Sequence, residues 1–180
     1  MSKKKLGTVW LGGCSGCHMS LLDIDERILD VAALADIVKC PIVDGKEFPL
    51  VDIALVEGSV TSDEHFHEIK DIRAKSKILI AFGDCAVTAN VTGLRNWLSK
   101  DDVLNRAYRQ AESNDNQGQM PDHFTLLKLH DKVVPLHEVV KVDFYIPGCP
   151  PSADTIFYVL AEFLNGRIPN LEQERKLKYG

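Results

Sequence analysis

The sequence predicts an α/β fold, a doubly wound parallel sheet with helices on its faces. Apolar runs that do not alternate with polar residues, such as Val51–Val56 and Lys77–Phe82, fit strands buried on both sides. Stretches with helical spacing separate those runs, so strand and helix alternate along the chain. Glycine or proline closes each clear strand.

In chain order, Lys5–Leu11 reads as a short buried strand ended by Gly12-Gly13. His18–Leu34 reads as one helix: Leu21, Leu22, Ile24, Ile28, Leu29 and Val31 keep near-helical spacing among charged residues. Asp36–Val43 is a second strand weakened by Pro41, and Asp44-Gly45-Lys46 is a turn. Val51–Val56 is the clearest strand and stops at Glu57-Gly58. Thr61 or Ser62 caps the helix that follows, with Asp63 and Glu64 in its first turn and an end near Lys75. Lys77–Phe82 is a strand closed by Gly83-Asp84, and Val140–Ile146 is a strand closed by Pro147-Gly148. Ser152 or Asp154 starts a last helix that Gly166 stops. The region Ser113–Lys132 breaks the alternation, with a polar loop over residues 114–119. No repeat or internal boundary is visible, so residues 1–180 read as a single domain with a C-terminal tail from about 167.

The chain has 180 residues, 45% hydrophobic and 26% charged, enough to bury a real core. Lys plus Arg total 21 against 26 Asp plus Glu, a net charge of −5, which offers nucleic acid no global attraction. No apolar stretch approaches the roughly 18 residues of a membrane helix. Leu6–Leu11 is too short for a signal segment, so a cytoplasmic location is expected, without a membrane partner. Thiols stay reduced there, and cysteines serve as core residues, catalytic groups or metal ligands.

Four of the five cysteines follow strand ends. Cys14 and Cys17 lie in Gly12-Gly13-Cys14-Ser15-Gly16-Cys17, Cys85 in Gly83-Asp84-Cys85-Ala86, and Cys149 in Pro147-Gly148-Cys149-Pro150-Pro151. In open α/β sheets ligands sit outside the carboxyl ends of the strands. Four thiolates converging there suggest a metal centre. Structural zinc sites usually show two paired knuckles, whereas this sequence has one pair and two lone cysteines. A thioredoxin-type dithiol would account for Cys14-x-x-Cys17 and leave the other two loops unexplained. An iron–sulfur cluster accommodates ligands from several loops, and the adjacent glycines would let backbone N–H groups approach its sulfides. Cys40, without a neighbouring glycine, reads as an ordinary core thiol.

The loops Gly13-Cys14-Ser15-Gly16-Cys17, Glu57-Gly58-Ser59-Val60, Gly83-Asp84-Cys85-Ala86 and Pro147-Gly148-Cys149-Pro150-Pro151 together resemble the small subunit of nickel–iron hydrogenases. The order and spacing agree from about Leu6 to Asn165. The resemblance implies a flavodoxin-like domain whose Cys14, Cys17, Cys85 and Cys149 hold a 4Fe-4S cluster. It implies a large-subunit partner with the Ni–Fe site, where hydrogen is split. Long uptake-type small subunits carry a twin-arginine leader and two further clusters. This sequence has neither, and resembles the short form of cytoplasmic, bidirectional NAD-reducing hydrogenases. That form implies diaphorase subunits with iron–sulfur clusters and FMN, and a hydrogen:NAD+ oxidoreductase activity of the whole complex. A complex I-like cluster subunit is the related alternative, with adjacent cysteines in place of Cys14-x-x-Cys17. A stand-alone iron–sulfur or dithiol carrier is the alternative of another class. FMN on this chain itself conflicts with the loop after the first strand, which Cys14 and Cys17 already occupy.

Other residues carry paired readings. Glu57 faces the same crevice, either as a carboxylate beside the cluster or its ligand in an oxidised state, or as a partner for a helix N-terminus. His18 reads as a helix-start histidine or a donor to a cluster sulfur. Asp84 caps a helix or orients the Cys85 loop. His65, His67 and Lys3-Lys4-Lys5 read as solvated.

Overall fold

The computed structural model describes residues 3–43, 45–114 and 118–178. The strands are β1 (Lys4–Trp10), β2 (Ala35–Lys39), β3 (Val51–Glu57), β4 (Val60–Ser62), β5 (Ser76–Phe82), β6 (Leu129–Val134) and β7 (Phe144–Ile146). The helices are α1 (Gly16–Leu22), α2 (Ile28–Leu34), α3 (Asp63–Lys75), α4 (Asp84–Thr88), α5 (Asn90–Gly93), α6 (Lys100–Tyr108) and α7 (Ala153–Leu164). Five strands form a sheet in the order β2-β1-β3-β5-β7, every neighbouring pair parallel. This is the doubly wound, flavodoxin-like order, which reverses direction between β1 and β3 and opens a crevice there.

Successive side chains of the central strands point to opposite faces. Ile53 and Leu55 join Leu6, Ile80 and Phe82 under Leu21, Val31, Ile156 and Leu160, from the α1, α2 and α7 side. Ala54 and Val56 join Val9, Leu79 and Ala81 under Ile69 and Ile72 of α3. Both faces of β3 are therefore buried, which is why its sequence is an unbroken apolar run. Each fully buried Ile or Leu here contributes about 1.5–3 kcal/mol. Ser62 Oγ accepts the His65 N–H at 3.3 Å and Ser152 Oγ accepts the Thr155 N–H at 3.3 Å, so these serines start α3 and α7. Gly166, at φ 78°, follows the end of α7.

Several expectations need correction. His18–Leu34 is not one helix. Asp25 takes a left-handed φ of 52°, and a 3-10 turn at Asp25–Arg27 separates α1 from α2 while Ile24 plugs into the core. β2 ends at Lys39, so Cys40 lies in the turn beyond it, half-buried and outside both core clusters. The ladder near the chain's end covers only Phe144–Ile146; Val140 and Val142 pack against the core without pairing. The antiparallel ribbon β4–β6 and the helices α4, α5 and α6 were not expected. Lys4 and Lys5 are in β1, and Lys4 Nζ donates to the Phe163 carbonyl at 2.6 Å, so they form no solvated tail. His65 is half-buried, with Nδ1 2.9 Å from Thr61 Oγ1. Asp44 of the expected turn and Asp115–Gln117 of the polar loop lie outside the described residues.

Candidate metal centre

Three loops at the carboxyl edge of the sheet bring four thiols together. Cys14 and Cys17 follow β1, Cys85 follows β5 in the first turn of α4, and Cys149 follows β7. All are free thiols; Cys17 is buried, Cys85 half-buried, and Cys14 and Cys149 exposed. The Cys17 thiol is pushed well up from its ordinary range, first by burial, then by the Glu57 carboxylate and by Cys85, Cys14 and Cys149. Gly83 lies against both Cys17 Sγ and the Gly148 carbonyl, and Asp84 bonds to Gly148, so the three loops that carry the four cysteines adjoin one another. Cys85 is also raised by burial, against hydrogen bonds from the Thr92 N–H and hydroxyl that favour its thiolate.

The backbone is shaped around the sulfurs. Gly83 has φ 84°, and a Cβ there would fall 2.1 Å from Cys17 Sγ. The Gly16 N–H donates to Cys14 Sγ at 3.4 Å. Gly148 has φ 133° and a Cβ there would meet Pro151 Cα at 2.7 Å. Asp84 joins two cysteine loops: its Oδ1 accepts the Gly148 N–H at 2.6 Å, and its own N–H donates to the Gly148 carbonyl at 2.9 Å. Ser20 Oγ ties α1 to the same loop, donating to the Pro151 carbonyl at 2.5 Å.

Glu57 is buried at the end of β3. Its Oε1 accepts the Cys17 N–H at 3.3 Å, and its Oε2 accepts the His18 N–H at 2.9 Å and lies 2.5 Å from His18 Nδ1. The carboxylate therefore holds the start of α1, where the amides have no helical partner. His18 is buried too, edge-on between Trp10 and Phe82. Ser59 belongs to the Glu57–Val60 loop that the sequence singled out, whereas Thr92 was not foreseen. Ser59 N–H and Oγ both donate to the Gly12 carbonyl, and its Oγ lies 2.6 Å from Thr92 Oγ1. Thr92 sits in a stretch to which the sequence assigned no element, so nothing placed it near Cys85.

The donor set fits an iron–sulfur cluster: four thiols from three loops, with glycine where a Cβ would collide with one of the sulfurs. Among the described residues, no three His, Cys, Asp or Glu side chains are grouped closely enough to hold a single metal ion.

A protein-family model described as NADH ubiquinone oxidoreductase, 20 Kd subunit, matches residues 14–163, from the first of these cysteines past the last. The chain belongs to this family. Hydrogenase subunits are prominent among its relatives. The delta subunit of the NAD-reducing hydrogenase HoxS of Cupriavidus necator is 39% identical over 168 residues, covering 92% of this chain and 80% of that one. A subunit of the F420-non-reducing hydrogenase of Methanothermobacter marburgensis is 40% identical over 167 residues, covering 91% of this chain and 54% of the relative. The chain thus spans about half the length of the F420-type relatives it matches. A chain in the crystal structure of an NAD+-reducing NiFe hydrogenase superposes with a TM-score of 0.95 at 35% identity, covering 99% of this chain and 100% of that one. A NiFeSe hydrogenase chain from Desulfomicrobium baculatum shares the fold alone, with a TM-score of 0.59 at 18% identity over 94% of this chain and 67% of that one. Relatives of this family member include hydrogenase subunits, among them one of an NAD-reducing hydrogenase. No helix among the described residues is long and apolar enough to cross a membrane.

Proposed function

We propose that this chain is the electron-transfer small subunit of a cytoplasmic NiFe hydrogenase, with Cys14, Cys17, Cys85 and Cys149 holding a 4Fe-4S cluster. The meeting of three cysteine-bearing loops at the carboxyl edge of the sheet supports the reading. The cluster, when bound, supplies one-electron transfer between the Ni–Fe site of a large-subunit partner and an NAD-reducing diaphorase module with iron–sulfur centres and FMN. The chain's own residues position it and set its surroundings. Gly83 leaves space beside Cys17, Asp84 fixes the Cys85 loop against the Cys149 loop, and Thr92 donates to Cys85. Glu57 locks the Cys17 and His18 amides, so the Cys14–Cys17 loop keeps its shape. Burial and Glu57 both favour the protonated Cys17 thiol, so ligation must release its proton. FMN on this chain is the less favoured alternative, since Cys14 and Cys17 occupy the loop that would bind its phosphate.

The test is to purify the chain with its partners and quantify iron and acid-labile sulfide, then record EPR of the reduced complex. About four irons per chain beyond those of the partners, lost in Cys85→Ala and Cys149→Ala together with hydrogen-driven NAD reduction, are expected. Zinc at one per chain, or a cluster that survives both replacements, overturns the ligand assignment. Cys40→Ala, outside the site, leaves the cluster and activity intact. A cluster-loaded monomer with no hydrogenase partner would point instead to a stand-alone carrier.

A further inference from the structure

One buried hydroxyl joins the loops around the thiols. Ser59 is fully buried. Its backbone pairs with Gly12 in both directions, the Ser59 N–H donating to the Gly12 carbonyl at 2.8 Å and the Gly12 N–H to the Ser59 carbonyl at 3.0 Å. Gly12 leads into the Cys14–Cys17 loop. The Ser59 side chain reaches Thr92, Oγ to Oγ1 at 2.6 Å. Thr92 Oγ1 donates to the Ala89 carbonyl at 2.6 Å, and the Ala89 N–H donates to the Cys85 carbonyl at 3.1 Å. Hydrogen bonds therefore link the Cys14 loop, through Ser59 and Thr92, to the turn that carries Cys85.

The proton count gives Ser59 a defined part. Each hydroxyl has one proton, and the Ala89 carbonyl can only accept. That carbonyl draws the Thr92 proton, so the proton between the two hydroxyls is that of Ser59, with the Gly12 carbonyl at 3.1 Å as its weaker second acceptor. The backbone at the far end needs this hold. Ala89 ends α4 at a left-handed φ of 64°, and Asn90 follows at φ 22°. Such conformations persist only where their surroundings fix them. The bend sets where Thr92 lies against Cys85, to which it donates. Hydrogen bonds to ligand sulfurs stabilise the more negative, reduced form of a cluster and so help to set its potential.

We propose that Ser59 is a positioning residue for the cluster: its hydroxyl fixes Thr92 and the Cys85 turn against the Cys14 loop and thereby raises the cluster's reduction potential. The proposal rests on the reading of the four thiols as cluster ligands. The complex with its partners is titrated electrochemically while EPR follows the reduced cluster, identified as the signal that Cys85→Ala removes. Ser59→Ala and Thr92→Val are expected to keep their iron and to shift the midpoint potential downward. The double variant shifts no further than the larger single shift, because both replacements break one connection. Thr92→Ser, which keeps the hydroxyl, holds the parent potential. A loaded Ser59→Ala cluster at the parent potential, or shifts that add in the double variant, overturns the positioning role. If Ser59→Ala or Thr92→Val loses its iron, Thr92→Ser decides: the parent potential supports the role and a shifted one overturns it. A Cys85→Ala complex that retains every signal fails the cluster reading itself, which a cluster indifferent to Ser59→Ala does not.

Discussion

At Gly83 a single hydrogen atom decides whether the thiols can share one site. A left-handed φ of 84° and a Cβ position 2.1 Å from Cys17 Sγ both forbid a side chain there. Gly83→Ala should therefore cost about 1–3 kcal/mol in strain and displacement. Chemical denaturation should record that loss, and iron per chain should fall because the Cys17 sulfur must move. Unchanged stability and iron content would mean that the loop relaxes at no cost. His65 offers a second residue-level test. Burial lowers its pKa below the ordinary 6.5 and His130 adds to this, against Glu64. The folded state then holds fewer protons than the unfolded state as pH falls past that value. The His65 contribution is full above about pH 6.5 and is lost as pH drops through the lower folded pKa. Melting temperature should decline from pH 7.5 to pH 5.5, and His65→Asn should flatten the decline. An equal slope in the variant would assign the pH dependence to other groups.

Among the elements, β7 is held to the sheet by very little ladder. It has three residues, and Asp143 just before it supplies the anchor. The Asp143 N–H donates to the Leu79 carbonyl at 2.9 Å, and Oδ2 accepts the Leu79 N–H at 2.9 Å and bonds to Arg73. Burial raises the Asp143 pKa, but the Leu79 N–H and Arg73 outweigh it and hold the carboxyl below its usual range. Asp143→Ala should destabilise the fold by about 1–3 kcal/mol, because the Leu79 amide loses its acceptor. It should also loosen Cys149, which β7 delivers to the site; hydrogen exchange at Ile146–Gly148 would show the faster opening. This element also marks how far the sequence could be read. β3 and β5 were legible because strands buried on both faces leave unbroken apolar runs. The valines before β7 gave the same signal but are used for packing, so the strand was read too long. β4 and β6 pair across more than sixty residues of chain, and three-residue β4 has no pattern of its own. The four cysteines and the Glu57–Val60 loop were legible because glycine or proline marks each loop, whereas Thr92 reaches Ser59 only through tertiary contacts.

The whole molecule leaves several large apolar side chains uncovered. Trp97 is 89% exposed and Phe124 91%, and Val91, Leu94 and Leu98 are exposed near Trp97 in sequence. A monomeric soluble protein rarely leaves so many large apolar side chains in water without a partner for them. The patch begins at α5, next to Thr92 and close in sequence to Cys85, so a chain docked there would sit beside the thiol site. Obligate interfaces have apolar cores, and aromatic residues dominate their energetics. Trp97 closes a 3-10 turn and makes little contribution to the core, so replacing it should separate assembly from folding. Trp97→Glu should change the chain's own stability by no more than about 0.5 kcal/mol, the usual range for surface positions. If the proposed hydrogenase large subunit docks on this patch, the same variant should fail to co-purify with it, since a carboxylate in an apolar interface is left without a partner. Size-exclusion chromatography of the co-expressed subunits, alongside thermal unfolding of the variant, reads both effects. A Trp97→Glu chain that still assembles at full yield would move the partner interface to another face, whereas one that unfolds would show Trp97 to be structural after all.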